Sequence, residues 1–268
     1  MENRFVVIVF MLVAVLSLGG TARAEMVAHW TFDSDWTADD PTYNFTPANG
    51  ASITAGNVKI GTGAASFNRL TSQYAQTSAS PFTLGSYSYV AWYYLNIADI
   101  TNTTDRYFVL EATDTLRATY PASFGLRDLT PLGTPDDAQV YTSTSVATPA
   151  YFNLSAGSNQ QWHHIAVTYD VTTGVFNGYL DGSLVGTMTN TGVLKVTDLL
   201  VIGGHRGTVA APGTGRNWHG QIDDLGVFDN VISTDLISYL AAGNPVPEPA
   251  TILLLGLGGL SLLRKRKT

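Results

Sequence analysis

The sequence predicts an all-β fold. Charged residues make up only 13% of the 268, while Gly, Thr, Ser, Asn and aromatics are plentiful, a composition suited to many short strands joined by tight turns. Several segments alternate with a period of two, as a strand with one buried face must. The dipeptide Asp181-Gly182 stands between apolar runs, and a type I′ hairpin turn needs positive φ at both of its central positions.

The elements follow in order. In Val27-Ala28-His29-Trp30-Thr31-Phe32-Asp33, the residues Ala28, Trp30 and Phe32 share one side and Val27, His29 and Thr31 the other, which predicts a first strand with its aromatics buried. Asp33 to Asn57 is rich in turn formers and reads as loop, and Gly61 to Gly63 reads as a glycine turn before a short strand at 64–67. Tyr87 to Leu95 carries Tyr87, Tyr89 and Tyr93 on one face and Trp92 and Tyr94 on the other, so it is expected to be central in its sheet. Further strands are expected at Arg106–Glu111, Ser123–Arg127 and Gln139–Thr142, then at 161–170, on both sides of Asp181-Gly182, at 199–204 and at 220–229. Ser233 or Thr234 can cap a short helix in which Leu236, Ile237 and Leu240 share a face, with Gly243 as its stop.

The two ends read as addresses. Met1 to Ala24 has a basic residue, Arg4, an apolar run from Phe5 to Leu18, and the small-residue site Ala22-Arg23-Ala24, the layout of a secretory signal peptide cut between Ala24 and Glu25. At the other end, Ala250 to Leu263 is an apolar run of fourteen residues, about 21 Å long as a helix and short for a ~30 Å hydrocarbon core. The basic residues Arg264, Lys265, Arg266 and Lys267 after it would stay cytoplasmic and leave the body outside. Val246-Pro247-Glu248-Pro249-Ala250 precedes the run, with two prolines that hold the backbone extended. The chain thus divides into a signal peptide (1–24), a body (25–243) and a C-terminal segment (244–268). Between Glu25 and Asn244 there remain eight basic and 19 acidic residues, a net charge of −11. Such a body lacks the basic footprint of a nucleic-acid binder. With no Cys, the chain has no disulfide, thiolate zinc site or thiol chemistry, and its core alone must stabilise an exported domain.

The order Pro247-Glu248-Pro249, apolar helix, basic end resembles the PEP-CTERM sorting signal of Gram-negative bacteria. That resemblance implies an exosortase-type sorting enzyme as partner, an inner-membrane intermediate held by the C-terminal helix, and delivery to the cell surface or extracellular matrix. The body resembles laminin G-like, concanavalin A-like jelly-roll domains through Ala28 to Asp33, Gly63-Ala64-Ala65-Ser66-Phe67, Trp162 to Asp170, the Tyr179-Leu180-Asp181-Gly182 hairpin and Gly220 to Leu225. The resemblance implies a sandwich of two antiparallel sheets with the first strand beside the last, which would bring the mature N-terminus close to the tail.

Several residues invite a chemical reading. Glycoside hydrolysis generally needs two facing carboxylates, yet Glu occurs in the body only at Glu25 and Glu111, and no Glu-x-Asp-x-x-Glu run is present. His163 and His164 are neighbours on a strand and point to opposite faces, so they cannot share one ion; one is expected packed and the other exposed. Calcium suits Asp and backbone oxygens on loops, and laminin G-like domains commonly bind it, which makes Asp33, Asp223 and Asp224 its candidate ligands; turn capping by the same residues is the competing reading. Tyr87, Tyr89 and Tyr93 would make either a stacking platform for sugar rings or part of the core. The leading expectation is an exported, non-catalytic adhesion or carbohydrate-binding protein that meets extracellular polysaccharide or surface glycan. A structural envelope or matrix component without a ligand is the alternative, and a glycoside hydrolase ranks below both.

Overall fold

The computed structural model describes residues 24–78, 85–96, 106–113, 122–127, 139–143, 150–153, 160–189, 199–204 and 217–247. Its first five strands are β1 (Met26–Trp30), β2 (Phe45–Ala48), β3 (Ser52–Thr54), β4 (Ala64–Phe67) and β5 (Tyr74–Thr77). Next come β6 (Tyr87–Leu95), β7 (Arg106–Thr113), β8 (Ala122–Arg127), β9 (Gln139–Ser143) and β10 (Ala150–Asn153). The last are β11 (Trp162–Asp170), β12 (Val175–Leu180), β13 (Ser183–Thr189), β14 (Leu199–Ile202) and β15 (Gly220–Phe228), followed by the helix α1 (Thr234–Ala241).

These strands form two antiparallel sheets packed as a sandwich. One runs β13-β12-β11-β6-β15-β4-β3, with β1 also on β15; the other runs β10-β9-β8-β7-β14-β5-β2. As anticipated, β6 is central, and the first strand lies beside the last, with Trp30 opposite Leu225 and Met26 opposite Phe228. Asp181 and Gly182 have φ of 49° and 80°, the two positive values that the hairpin required.

The inner face of the first sheet is aromatic. Tyr87 stacks on Tyr89 at 4.6 Å between ring centroids, Tyr169 on Phe176 at 4.1 Å, and Trp30 on Phe45 at 4.7 Å. Leu110, Leu200 and Ile202 meet these rings from the facing sheet. Each such ring removes roughly 150–250 Å² from water, which is how a chain without disulfides stabilises a sandwich. A second, smaller core lies on the outer face, where Ile237 and Leu240 of α1 pack with Val90, Ala166, Tyr179 and Phe228. Ser233 caps that helix by accepting from Leu236 N at 3.2 Å.

Three local readings change. The strand expected to run through Phe32 ends at Trp30, and Phe32 reaches the core from a left-handed conformation with φ of 55°. The stretch 33–57, expected to be loop, contains β2 and β3; Pro47 is tolerated because β2 is an edge strand, where a missing N–H breaks no ladder. Strands β5 and β10 lie where none was expected.

The strand β15 is interrupted. Its register against β6 shifts between Asp223 and Gly226, and Asp224 adopts φ of 47°. The interruption divides its other edge, so that β4 pairs with Gly220 to Ile222 and β1 with Leu225 to Phe228. Gly220 enters the strand at φ of 135°, where a Cβ would collide with the Tyr94 carbonyl of β6. Gly220→Ala is therefore expected to destabilise the fold by about 2–4 kcal/mol, through clash and strain together, measured by urea denaturation.

Candidate functional site

Alternation along β11 sends Trp162, His164, Ala166, Thr168 and Asp170 to the outer face, where Ala166 packs in the small core with the residues of α1. Beyond that core, toward Asp170, lies a cleft of about 550 Å³. Its walls carry the hydroxyls of Ser86, Thr168, Thr172 and Thr173, the amides of Asn177 and Asn230, the Asp170 carboxylate, and Val175 and Val231. Asp170 closes the β11–β12 turn by accepting from Thr172 N at 2.8 Å and from the Thr173 hydroxyl at 2.9 Å. Those hydrogen bonds, the Thr172 amide foremost, hold its carboxyl below the usual value. The Asn177 oxygen accepts from the Thr187 hydroxyl at 2.7 Å, which leaves its two amide N–H donors for other partners. Pocket volume and polar lining together suit a ligand rich in hydroxyl groups. Composition did not reveal this cleft; the only local signal was the turn-forming run Asp170-x-Thr172-Thr173.

At the opposite end of β11 the half-buried rings of Trp162 and Tyr94 lie 5.7 Å apart. Trp162 Nε1 donates to the Asn57 oxygen at 3.0 Å, and the Asn57 amide donates in turn to the Gln221 oxygen at 2.9 Å. Beside them Lys59 Nζ stands 4.0 Å from the centre of the buried Trp92 ring.

The candidate sugar platform is corrected. Tyr87, Tyr89 and Tyr93 are at most 1% exposed and belong to the interior, since the inner face of β6 is the one that meets the second sheet. The outward aromatics of that strand are Trp92 and Tyr94. The histidines do face opposite ways, but neither is exposed. His163 stacks toward Tyr93 and pairs through Nδ1 with Asp181 Oδ2 at 2.7 Å, while His164 sits edge-on to Trp92. Burial pushes the His164 imidazole down to about 4, so it is neutral at pH 7.

The three calcium candidates hold protein groups instead. Asp223 Oδ2 accepts from Lys59 N and Ile60 N, both at 2.9 Å, and Asp33 accepts from Thr62 N in the same turn. Asp224 Oδ1 meets His29 Nε2 at 2.7 Å and its Oδ2 accepts from Val246 N at 3.1 Å. Each of these carboxylates already accepts at least one protein N–H, the role that competes with calcium for them. Among the described residues, no three His, Asp or Glu side chains gather where one ion could sit. Burial, with the Asp224 charge adding to it, raises the Asp223 carboxyl to about 7. For His29, burial works downward, but the Asp224 hydrogen bond and charge outweigh it and raise the imidazole above its ordinary value.

Of the terminal signals, Ala24, Glu25, Val246 and Pro247 are described. Glu25 N donates to Asp229 Oδ1 at 2.6 Å, which places the expected cleavage point at the edge of the folded body. Glu248, Pro249, Ala250, Arg264, Lys265, Arg266 and Lys267, and residues 1–23, lie outside the described residues. No helix among the described residues is long and apolar enough to cross a membrane.

Two predictions follow from the buried acid and base. Asp223, with its folded value raised, contributes stability below pH ~4 that is lost as the pH rises to about 7; His164, with its value lowered, contributes above pH ~6.5 and loses it as the pH falls to about 4. The two oppose each other over one window. His164→Gln is expected to make stability fall with rising pH between 4.5 and 6.5, and Asp223→Asn to make it rise, each by at most about 1.4 kcal/mol per pH unit in denaturation series. Millimolar calcium is expected to leave the melting temperature unchanged in calorimetry, and a rise of several degrees would mean that these carboxylates exchange their N–H partners for an ion.

Comparison with known proteins places these features. The family model described as the concanavalin A-like lectin/glucanases superfamily matches residues 69–238, and that of the PEP-CTERM protein-sorting motif matches residues 245–267. The second match marks an exported protein with a C-terminal sorting signal. A search of curated protein sequences finds no match. Among solved structures, the chain is similar to domain 4 of AbnA, an extracellular arabinanase from Geobacillus stearothermophilus, in complex with arabinotriose. The two are 18% identical with a TM-score of 0.60, over 82% of this chain and 99% of that one. It is also similar to a heptameric pentraxin from Limulus polyphemus, at 16% identity and a TM-score of 0.51 over 65% and 77% of the two chains. The binding domain of botulinum neurotoxin serotype D is 13% identical with a TM-score of 0.56, and the match covers 82% of this chain and 52% of that one. At these identities the likeness concerns the fold, whereas the family model spans most of the chain: this protein belongs to the concanavalin A-like lectin/glucanases superfamily.

Proposed function

We propose that the protein is a non-catalytic carbohydrate-binding domain, exported and then delivered by an exosortase-type enzyme to the surface or extracellular matrix of a Gram-negative bacterium, where it holds polysaccharide. The observation that carries this reading is the cleft at the Asp170 end of β11, whose hydroxyl and amide lining matches the hydroxyl groups of a glycan. A solved domain of the same fold, nearly all of which the chain matches, holds arabinotriose, and this supports the choice of ligand class. The non-catalytic reading is supported by the cleft's lining: among the described residues it carries one carboxylate, Asp170, which its own turn engages, whereas a hydrolytic pair needs a second one facing it. A net charge of −11 on the body favours neutral glycans over acidic ones, since like charges repel across the approach.

The test is affinity electrophoresis and calorimetry of the full chain in detergent against neutral polysaccharides and arabinotriose. Binding is expected, and Asn177→Ala or Thr172→Ala should weaken it about five- to tenfold, the effect of one hydrogen bond, while Trp162→Ala leaves it unchanged. Loss of binding in Trp162→Ala alone would move the site to the other end of β11. No binding to any glycan would favour the structural envelope role.

A further inference from the structure

The floor of the Asp170 cleft is built from two rows of side chains on the outer face of the first sheet. Strand pairing sets Thr168 of β11 opposite Asn177 of β12, and Asp170 opposite Val175, so Asp170 and Asn177 stand on a diagonal of one face. Their hydrogen-bonding capacities are opposite. The Asn177 oxygen is taken by the Thr187 hydroxyl of β13, and its two N–H donors have no partner among the described residues. The Asp170 carboxylate can only accept, and Thr172 N and the Thr173 hydroxyl leave part of its capacity open. Each group leans away from the other: Asp170 is drawn to the turn beyond the end of β11, and Asn177 to the strand on its far side.

On the carbohydrate reading of the cleft, on which this rests, we propose that the diagonal recognises two adjacent hydroxyl groups of one sugar ring: the Asn177 amide donates to one oxygen, and the Asp170 carboxylate accepts the proton of its neighbour. The spacing selects a pair over a single group. Diagonal partners on one face of an antiparallel pair stand ~7 Å apart. A single hydroxyl holding two hydrogen bonds of ~2.8 Å spans less than ~6 Å, and a second hydroxyl supplies the missing length. The bonds then run one way, from amide through both hydroxyls to carboxylate, an order in which each polarises the next. An acidic ligand group would meet Asp170 with like charge, and an amine would leave the Asn177 donors unused. Val175 and Val231 supply apolar lining for the C–H groups of the ring.

Two comparisons test this, both on the full chain in a polyoxyethylene detergent, which carries no sugar. Calorimetry compares arabinotriose with its deoxy counterpart, which lacks the hydroxyl at carbon two of every ring and so has no adjacent pair. Affinity gels compare each neutral polysaccharide that retards the protein with the same polymer after periodate oxidation and borohydride reduction, which break adjacent diols. Arabinotriose is expected to bind at least tenfold tighter than the deoxy compound, and retardation to be lost after oxidation. Asn177→Ala is expected to weaken arabinotriose five- to tenfold and to leave the deoxy compound unchanged, whereas a merely structural defect would weaken both alike. Equal affinity for the two trisaccharides, or retardation that survives oxidation, overturns the proposal and leaves the carbohydrate reading in place. No binding of either trisaccharide or of any polysaccharide overturns the carbohydrate reading, and the diol site falls with it.

Discussion

Two adjacent buried carboxylates, Asp223 and Asp224, organise this fold. Neighbours on a regular strand would send one side chain to each face, but the register shift and the left-handed Asp224 turn both toward backbone donors and a histidine. Asp223 fixes the turn at Lys59 and Ile60 that leads into β4; Asp224 fixes β1 through His29 and the end of the body through Val246. Three segments remote in sequence therefore meet at one interruption. Removing either partner of the buried Asp224–His29 pair leaves the other without its counterpart and costs about 3–5 kcal/mol, far more than a surface ion pair.

The two faces of the first sheet divide the work. Its inner face, filled by tyrosine, tryptophan and phenylalanine, meets the second sheet and supplies stability. Among the described residues its outer face is only partly covered: α1 seals the middle and leaves the ends of β11 open, one lined by hydroxyls and amides and the other by Trp162, Tyr94 and their chain of amides. The recognition proposed here would occupy a surface whose shape is set by a core it never touches, which is how one sandwich can serve many ligands.

Much of this architecture was legible. Strand alternation placed Trp30 inside, the Asp-Gly pair located the hairpin, and the serine before an apolar triplet located the helix, because each rests on chemistry within a few residues. What was not legible depended on partners distant in sequence. The side of β6 that carries Tyr87, Tyr89 and Tyr93 is inner only because the second sheet lies there, and a strand aromatic on both faces does not announce which. Asp33 and Asp223 do arrive at one turn, as the family resemblance suggested, but as acceptors for its amides. The edge strand containing Pro47 was hidden by its own composition. His29 shows the same limit: its role exists only opposite Asp224, 195 positions away.

The docking of Val246 also has a mechanical side. Were the proposed tethering and polymer binding both to hold, a pull between tail and polymer would load the folded domain. That load enters the domain at Val246, outside the hydrogen-bonded ladders of both sheets. The first contact to yield is then one valine in a shallow seat, with a single backbone hydrogen bond, and its release lengthens the tether while every strand stays paired. Under such a load the seat would open before any strand of the sandwich has to part.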